Sequence, residues 1–369
     1  MKIRDINTIL IDSPGRKWTI VRVETDIGLT GLGEATYSQK EPVVAAAVDH
    51  MKQELLGEDA RRIEYLWHKI YRISSESGIW RMVGPVWMSA LSGIDQALWD
   101  LKGKEANLPV VDLLGGRFRD RVRLYTHFSG SDPKESALQA QDKVAAGFRF
   151  LKTGVRNSRY DGFDPYVKDR NWGGTIDHLE AVREVVGNDI DLLIDCHGRY
   201  TVSEAVKLSR ALEPLDLYCF EDPLPPDDLN AYAKFKRQTA IPVMGSERLN
   251  TKTQFRQLLE LDGIDIAQPD LVYAGGITEV RKIAAIADSY HVPLSFHNTK
   301  GPIGILAAAH LGASIPNEAP MEFVTGIDWR DDIITEPLEV KDGCLIISER
   351  PGFGVELNMD GIEKYLWRG

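Results

Sequence analysis

The chain has 369 residues, 43% hydrophobic and 27% charged, with a formal net charge of −11. That balance is ordinary for a soluble globular protein, and the length allows a large α/β barrel with a further domain. Net acidity with scattered lysines and arginines argues against a nucleic-acid partner. No apolar run approaches the roughly 18 residues of a membrane span, and Met1–Asn7 has no signal-peptide core. Cys196, Cys219 and Cys344 are few and odd in number, so they read as free thiols of a reducing compartment, and the cytoplasm is the expected location.

In chain order, residues 1–120 read as an α+β domain. Ile20–Glu24 and Thr30–Glu34 suggest antiparallel strands joined by a turn at Asp26-Ile-Gly28, and helical stretches follow at Pro42–Leu55, Ala60–Ile70 and Met88–Gly103. From about residue 121 the pattern becomes regular. Strands are predicted at Val122–Thr126, Arg149–Thr153, Asp191–Asp195, Leu217–Glu221, Ile241–Gly245, Ile264–Gln268, Val292–Phe296 and Pro320–Val324. They are short and apolar, as parallel strands buried on both faces are. Helical segments lie between them, with capping-box patterns at Thr201–Glu204 and Thr251–Gln254. Gly147, Gly187 and Gly263 stand where helices should stop. Alternating strands and helices predict a β/α barrel over residues 121–344. The tail, 345–369, holds a strand-like piece and Tyr365-Leu-Trp367 that would fold back onto the first domain.

Asp195, Glu221 and Glu247 each close an apolar run, spaced 26 and 26 residues apart. Barrel strands deliver the residues at their C-terminal ends to one mouth. Three carboxylates there repel unless a cation joins them, and an all-oxygen set suits a hard octahedral ion such as Mg2+. The register continues with Asp270 after strand six, His297 at the end of strand seven and Glu322 on strand eight. A carboxylate beside an imidazole is the arrangement of an oriented general base. His197, two residues past Asp195, would face the mouth by strand alternation, as a fourth metal ligand or as an acid opposite His297. The remaining histidines, His127 among them, read mostly as structural.

These motifs resemble the enolase superfamily, in its mandelate racemase-like branch and near its acid-sugar dehydratases. The resemblance rests on Gly31-Leu-Gly-Glu-Ala35, Gly93-Ile-Asp-Gln-Ala-Leu-Trp-Asp-Leu-Lys-Gly103, Leu113-Leu-Gly-Gly116, Asp195-Cys-His-Gly-Arg199, Phe220-Glu-Asp-Pro223, Gly245-Ser-Glu247, Gln268-Pro-Asp270 with Gly275-Gly276, and His297. It implies a modified (β/α)8 barrel of (β/α)7β type with an N-terminal α+β capping domain. It also implies one Mg2+ on Asp195, Glu221 and Glu247, an acid-sugar substrate, and a homo-oligomer, dimer or octamer.

In the implied chemistry, His297 oriented by Asp270 removes the proton α to the substrate carboxylate, giving a metal-stabilised enediolate. His197 protonates the departing hydroxyl, and a 2-keto-3-deoxy acid results. Glu322 and Lys152 address the carboxylate. Racemases of this branch carry Lys-x-Lys at the end of strand two, and here the pair is Lys152 and Gly154. Losing the second base favours dehydration over the alternative, racemisation or epimerisation of a 2-hydroxy acid. The segment Val155–Thr175 (Arg156, Arg159, Tyr160, Tyr166, Lys168, Arg170, Trp172) reads as a binding loop, with Tyr160 and Arg156 a lesser candidate base pair. Arg16-Lys-Trp18 and Ile79-Trp-Arg81 are expected in loops that select the sugar.

Overall fold

A computed structural model describes residues 1–13, 15–72, 84–155 and 172–368. The first part is an antiparallel sheet of β1 (Ile3–Ser13), β2 (Arg16–Thr25) and β3 (Thr30–Glu34), paired in that order. Only β2 and β3 follow from the sequence, because the apolar residues of β1 (Ile3, Ile6, Ile9, Leu10 and Ile11) do not alternate. Helices α1 (Glu41–Leu55), α2 (Ile63–Arg72) and α3 (Pro85–Ala106) pack beside the sheet. A side chain on Gly33 would collide with the Gly93 carbonyl of α3, and one on Gly31 with that of Ala97. The two glycines thus let strand and helix backbones touch.

The barrel is built from parallel strands β4 (Arg121–His127), β5 (Phe150–Gly154), β6 (Asp191–Asp195), β7 (Cys219–Glu221), β8 (Val243–Gly245) and β9 (Ile266–Ala267). It closes where β10 (Met321–Glu322) pairs with β4, Met321 opposite Leu124. The expected seventh strand, Val292–Phe296, is extended chain held by isolated bridges from Leu294 to Ala267 and Glu318 and from His297 to Asp270. Pro293 cannot donate to a ladder, and a continuous strand does not form. Helices follow the first seven strand positions, from Pro133–Ala145 to Pro302–Ser314, and only a short 3-10 turn, Arg330–Ile333, follows β10. This is the (β/α)7β pattern with an N-terminal capping domain.

The tail divides. β11 (Val340–Lys341) and β12 (Cys344–Ile346) form a hairpin whose second strand pairs antiparallel with the start of β4, so the strand-like piece belongs to the barrel edge. Leu366 returns to β1, bridging Ile11, and Trp329 packs between Trp18 and Tyr365 at centroid distances of 4.4 and 4.9 Å. Glu204 reaches back to the Thr201 N–H at 3.0 Å, as the capping box requires. In the second expected box Gln254 instead accepts from Asn250, at 2.8 Å, and Thr251 makes no side-chain cap.

The cap docks on the barrel through buried polar contacts. Glu34 accepts from the N–H groups of Gly301 and Gly304, both at 2.8 Å. Asp95 accepts from the Thr278 N–H at 3.0 Å, Trp99 donates to the Thr278 hydroxyl at 2.9 Å, and Trp67 donates to the Gly275 carbonyl at 2.7 Å. These contacts fix the mouth beneath the cap. Among the described residues no helix is long and apolar enough to cross a membrane.

Candidate active site

The carboxylates of Asp195, Glu221 and Glu247 offer atoms that all lie within 4.8 Å of one another. Asp195 and Glu221 end paired strands and stand opposite each other in the register, while Glu247 lies two residues past β8. Glu221 is fully buried and its Oε2 has no hydrogen-bond partner. Burial pushes its carboxyl well above the usual range, Lys152 opposes this, and Asp195, Glu322 and Glu247 push it further. An orphaned oxygen among mutually repelling carboxylates fits a hard divalent cation.

Lys152, on β5, is the cation the chain itself supplies. Its Nζ lies 2.7 Å from Glu221, 3.3 Å from Asp195 and 2.6 Å from Glu322. One ammonium cannot neutralise four carboxylates.

His297 lies at the far side of the cluster. Its Nδ1 is 2.6 Å from Asp270 Oδ2, and its Nε2 is 3.2 Å from Glu247 and 3.6 Å from Glu322. Burial lowers the proton affinity of its imidazole, but Glu247, Glu322 and Asp270 outweigh that and raise the pKa to about 9. His197 flanks the other end, with Nε2 3.2 Å from Asp195 and a half-exposed side chain. Strand alternation does not place it. His197 sits beyond the strand in a left-handed turn at φ 52°, and its N–H donates to Asp195 Oδ1 at 2.8 Å. A methyl on Gly154 would lie 3.6 Å from the His197 ring, so the imidazole stands beside the position where a second strand-two lysine would be.

Glu322 is fully buried and accepts from His127 Nε2 at 2.7 Å and from the Asn298 N–H at 2.9 Å, besides contacting Lys152. Burial would raise its carboxyl, yet Lys152, His297 and His127 hold it well below the usual range.

His127, expected to be structural, therefore belongs to the mouth. It directly follows the predicted first strand, and applying the strand-end rule there would have found it. With Arg16 it lines a cavity of about 360 Å³. Arg16-Lys-Trp18 opens β2 instead of lying in a loop, and Trp18 is buried. Lys300, 2.8 Å from Asp270, was also missed, and nothing in the sequence pattern singles it out. Trp172 caps the helix Gly173–Val186 and meets Tyr200 edge-on at 6.1 Å. Ile79-Trp-Arg81, Arg156, Arg159, Tyr160, Tyr166, Lys168 and Arg170 lie outside the described residues.

Residues 13–115 match the mandelate racemase / muconate lactonizing enzyme N-terminal domain, and residues 135–361 match the enolase C-terminal domain-like family. The chain belongs to the enolase superfamily. A protein named D-xylonate dehydratase from Haloferax volcanii is 32% identical, with 100% of this chain and 90% of that protein covered. One named D-galactonate dehydratase from Xanthomonas campestris pv. campestris is 35% identical, covering 94% and 91%. Among solved structures, the 3,6-anhydro-D-galactonate cycloisomerase from Zobellia galactanivorans superimposes with a TM-score of 0.89 at 33% identity, each chain covered in full. Overall likeness at this level thus spans more than one reaction. Membership of the enolase superfamily implies a divalent metal ion, and the Asp195–Glu221–Glu247 cluster could hold it.

Proposed function

We propose that this protein dehydrates an acid sugar, an aldonate, to a 2-keto-3-deoxy acid, with Mg2+ held by Asp195, Glu221 and Glu247. The observation that carries the reading is the pair of imidazoles flanking the carboxylate cluster, each with Nε2 3.2 Å from an outer member of the three. Relatives named D-xylonate and D-galactonate dehydratase support the substrate class. When bound, Mg2+ supplies Lewis-acid stabilisation of the charge that develops on the substrate carboxylate.

With a cation on Glu247 offsetting part of the charge that keeps His297 protonated, the neutral imidazole takes the α proton on Nε2. Asp270 accepts from Nδ1–H, which fixes the tautomer and stabilises the imidazolium that forms. His197, at the open side of the mouth, delivers a proton to the β hydroxyl, which leaves as water. The resulting enol returns to the keto form, so the product differs from the substrate by one water. Lys152 holds positive charge at the carboxylate end. Glu322 is held ionised and, as an acceptor only, it orients Lys152 and His127 unless it gains a proton when the substrate carboxylate arrives.

The alternative is an isomerase or racemase using the same α-proton chemistry without water loss. It needs a second way to return the proton, and the strand-two position that would furnish one is Gly154, which has no proton-carrying side chain. The deciding experiment is a panel of aldonates with and without Mg2+, followed for 2-keto-3-deoxy acid and for α-deuterium uptake in D2O. Dehydration of at least one aldonate is expected. Exchange or isomerisation throughout, with no keto acid, would replace this reading by the alternative.

A further inference from the structure

Lys300 is a buried ammonium that the chemistry above leaves unused. It is 2% exposed, and its Nζ lies 2.8 Å from Asp270 Oδ2, the oxygen that also accepts from His297 Nδ1 at 2.6 Å. The other oxygen, Oδ1, accepts from the N–H groups of Val272 at 2.8 Å and Tyr273 at 3.3 Å. Asp270 is thus held from four directions. Lys300 also lies 4.0 Å from the centroid of the Tyr273 ring, which caps it from the far side.

The turn that carries Lys300 is pinned at both ends. Asn298 donates its N–H to Glu322 at 2.9 Å, and Gly301 donates its N–H to Glu34 of the cap at 2.8 Å. With its backbone fixed and its head buried, Lys300 faces Asp270.

We propose that Lys300 is a positioning residue: it keeps Asp270 an ionised, oriented acceptor, so that His297 carries a proton on Nδ1 and turns Nε2 toward the substrate. The physical reason is the behaviour of a buried carboxyl without a counter-charge. Desolvation drives it toward the neutral acid, and a protonated Asp270 could donate to Nδ1 and push the imidazole proton onto Nε2. Burial does raise Asp270, and Lys300 leads the groups that bring it below the usual range. The catalytic consequence rests on the α-proton reading above, but the tautomer is a property of the resting enzyme and can be read without turnover.

The test uses Mg2+-loaded protein labelled with 15N-histidine, the His297 signals being identified by their absence in His297→Asn. The wild type and Lys300→Arg should show a proton on Nδ1 hydrogen-bonded to Asp270, and Lys300→Met should lose that signature. With an aldonate, Lys300→Met should lower kcat about 10²-fold, the lower end of what a positioned base contributes, leave KM within about threefold, and be largely rescued by Lys300→Arg. Lys300→Met with the wild-type tautomer overturns the proposal, whether kcat falls or not. Should Lys300→Met fail to fold, Asp270→Asn/Lys300→Met removes both charges together. Little loss beyond Asp270→Asn alone is then expected, and multiplied losses overturn the proposal. If the wild type turns over no aldonate, the function reading fails while the tautomer comparison still decides the role of Lys300.

Discussion

Two regions of this molecule bury carboxylates, and they treat them oppositely. At the seam between cap and barrel, Asp100 accepts from the N–H groups of Leu32 at 2.9 Å and Phe353 at 2.8 Å and pairs with Lys104 at 2.9 Å. Glu34 likewise takes two backbone N–H groups and the Thr36 hydroxyl. At the mouth, Glu221 keeps an unpartnered oxygen, and Asp195, Glu221 and Glu322 share one lysine. Asp100 and Glu34, buried to join two elements, have their lone pairs filled by the chain itself, while Asp95 at the same seam keeps Oδ1 unpartnered. At the mouth the shortfall coincides with neighbouring carboxylates that repel one another, and that combination marks the site.

The comparison breaks most visibly at the mouth. His297→Asn should abolish α-deuterium exchange with an aldonate in D2O, a loss of about 10³-fold or more in rate, because the only other basic group beside Asp270 among the described residues, Lys300, is a buried ammonium paired with it. His197→Asn should stop keto-acid formation while leaving exchange measurable. If His197→Asn dehydrates at the wild-type rate, the acid has been misassigned.

At the seam the expected effect is on stability alone. Asp100→Ala leaves the buried N–H groups of Leu32 and Phe353 without their acceptor, while Lys104 keeps Glu356 and the Thr30 carbonyl, and should cost about 2–4 kcal/mol in urea unfolding. Activity per folded molecule should persist, since Asp100 is remote from the mouth. A seam variant that retained its stability but lost turnover would erase the distinction between the regions. Adding Mg2+ sharpens it from the other side. At a hundred times its dissociation constant the ion should stabilise the wild type by about 2.7 kcal/mol, visible as a rise in Tm. Glu221→Gln should lose that rise, and Asp100→Asn should keep it.

How much of this was legible in the sequence follows from the same contrast. Strand-end carboxylates announce themselves because each closes an apolar run and the runs recur at even spacing, so Asp195, Glu221, Asp270, His297 and Glu322 were placed from pattern alone. His127 obeys the same rule, but as a histidine outside the even series of carboxylates it reads as structural from sequence. Lys300 could not be found so, since its role depends on a turn folding back onto Asp270. The seam was visible only as motif. That Gly31 and Gly33 make room for the carbonyls of α3, and that Asp95 and Asp100 receive backbone N–H groups, are facts of packing that no periodicity encodes. The seventh strand failed because an apolar run says nothing about the missing N–H of Pro293.

The smallest effect concerns a second seam residue, His310, on the helix Pro302–Ser314. It is fully buried, and its Nδ1 accepts from the Val111 N–H at 3.2 Å. Burial pushes its pKa down to about 4 from 6.5, with Arg117 nearby acting in the same direction. Between these values the unfolded chain binds a proton that the native state refuses, so stability rises with pH across this window and is lost as pH falls from 6.5 toward 4. At pH 5 the loss amounts to about 2 kcal/mol. Asp95 runs the other way. Burial raises its carboxyl to about 7, so its contribution is present in acid and fades as pH rises. The difference between two proteins that share Asp95 isolates the histidine. His310→Asn keeps an acceptor for Val111 but cannot ionise, and its unfolding free energy should fall less steeply than that of the wild type between pH 6.5 and 5. Parallel slopes would mean that His310 takes up its proton in place, and that the seam tolerates a charge which its packing argues it should exclude.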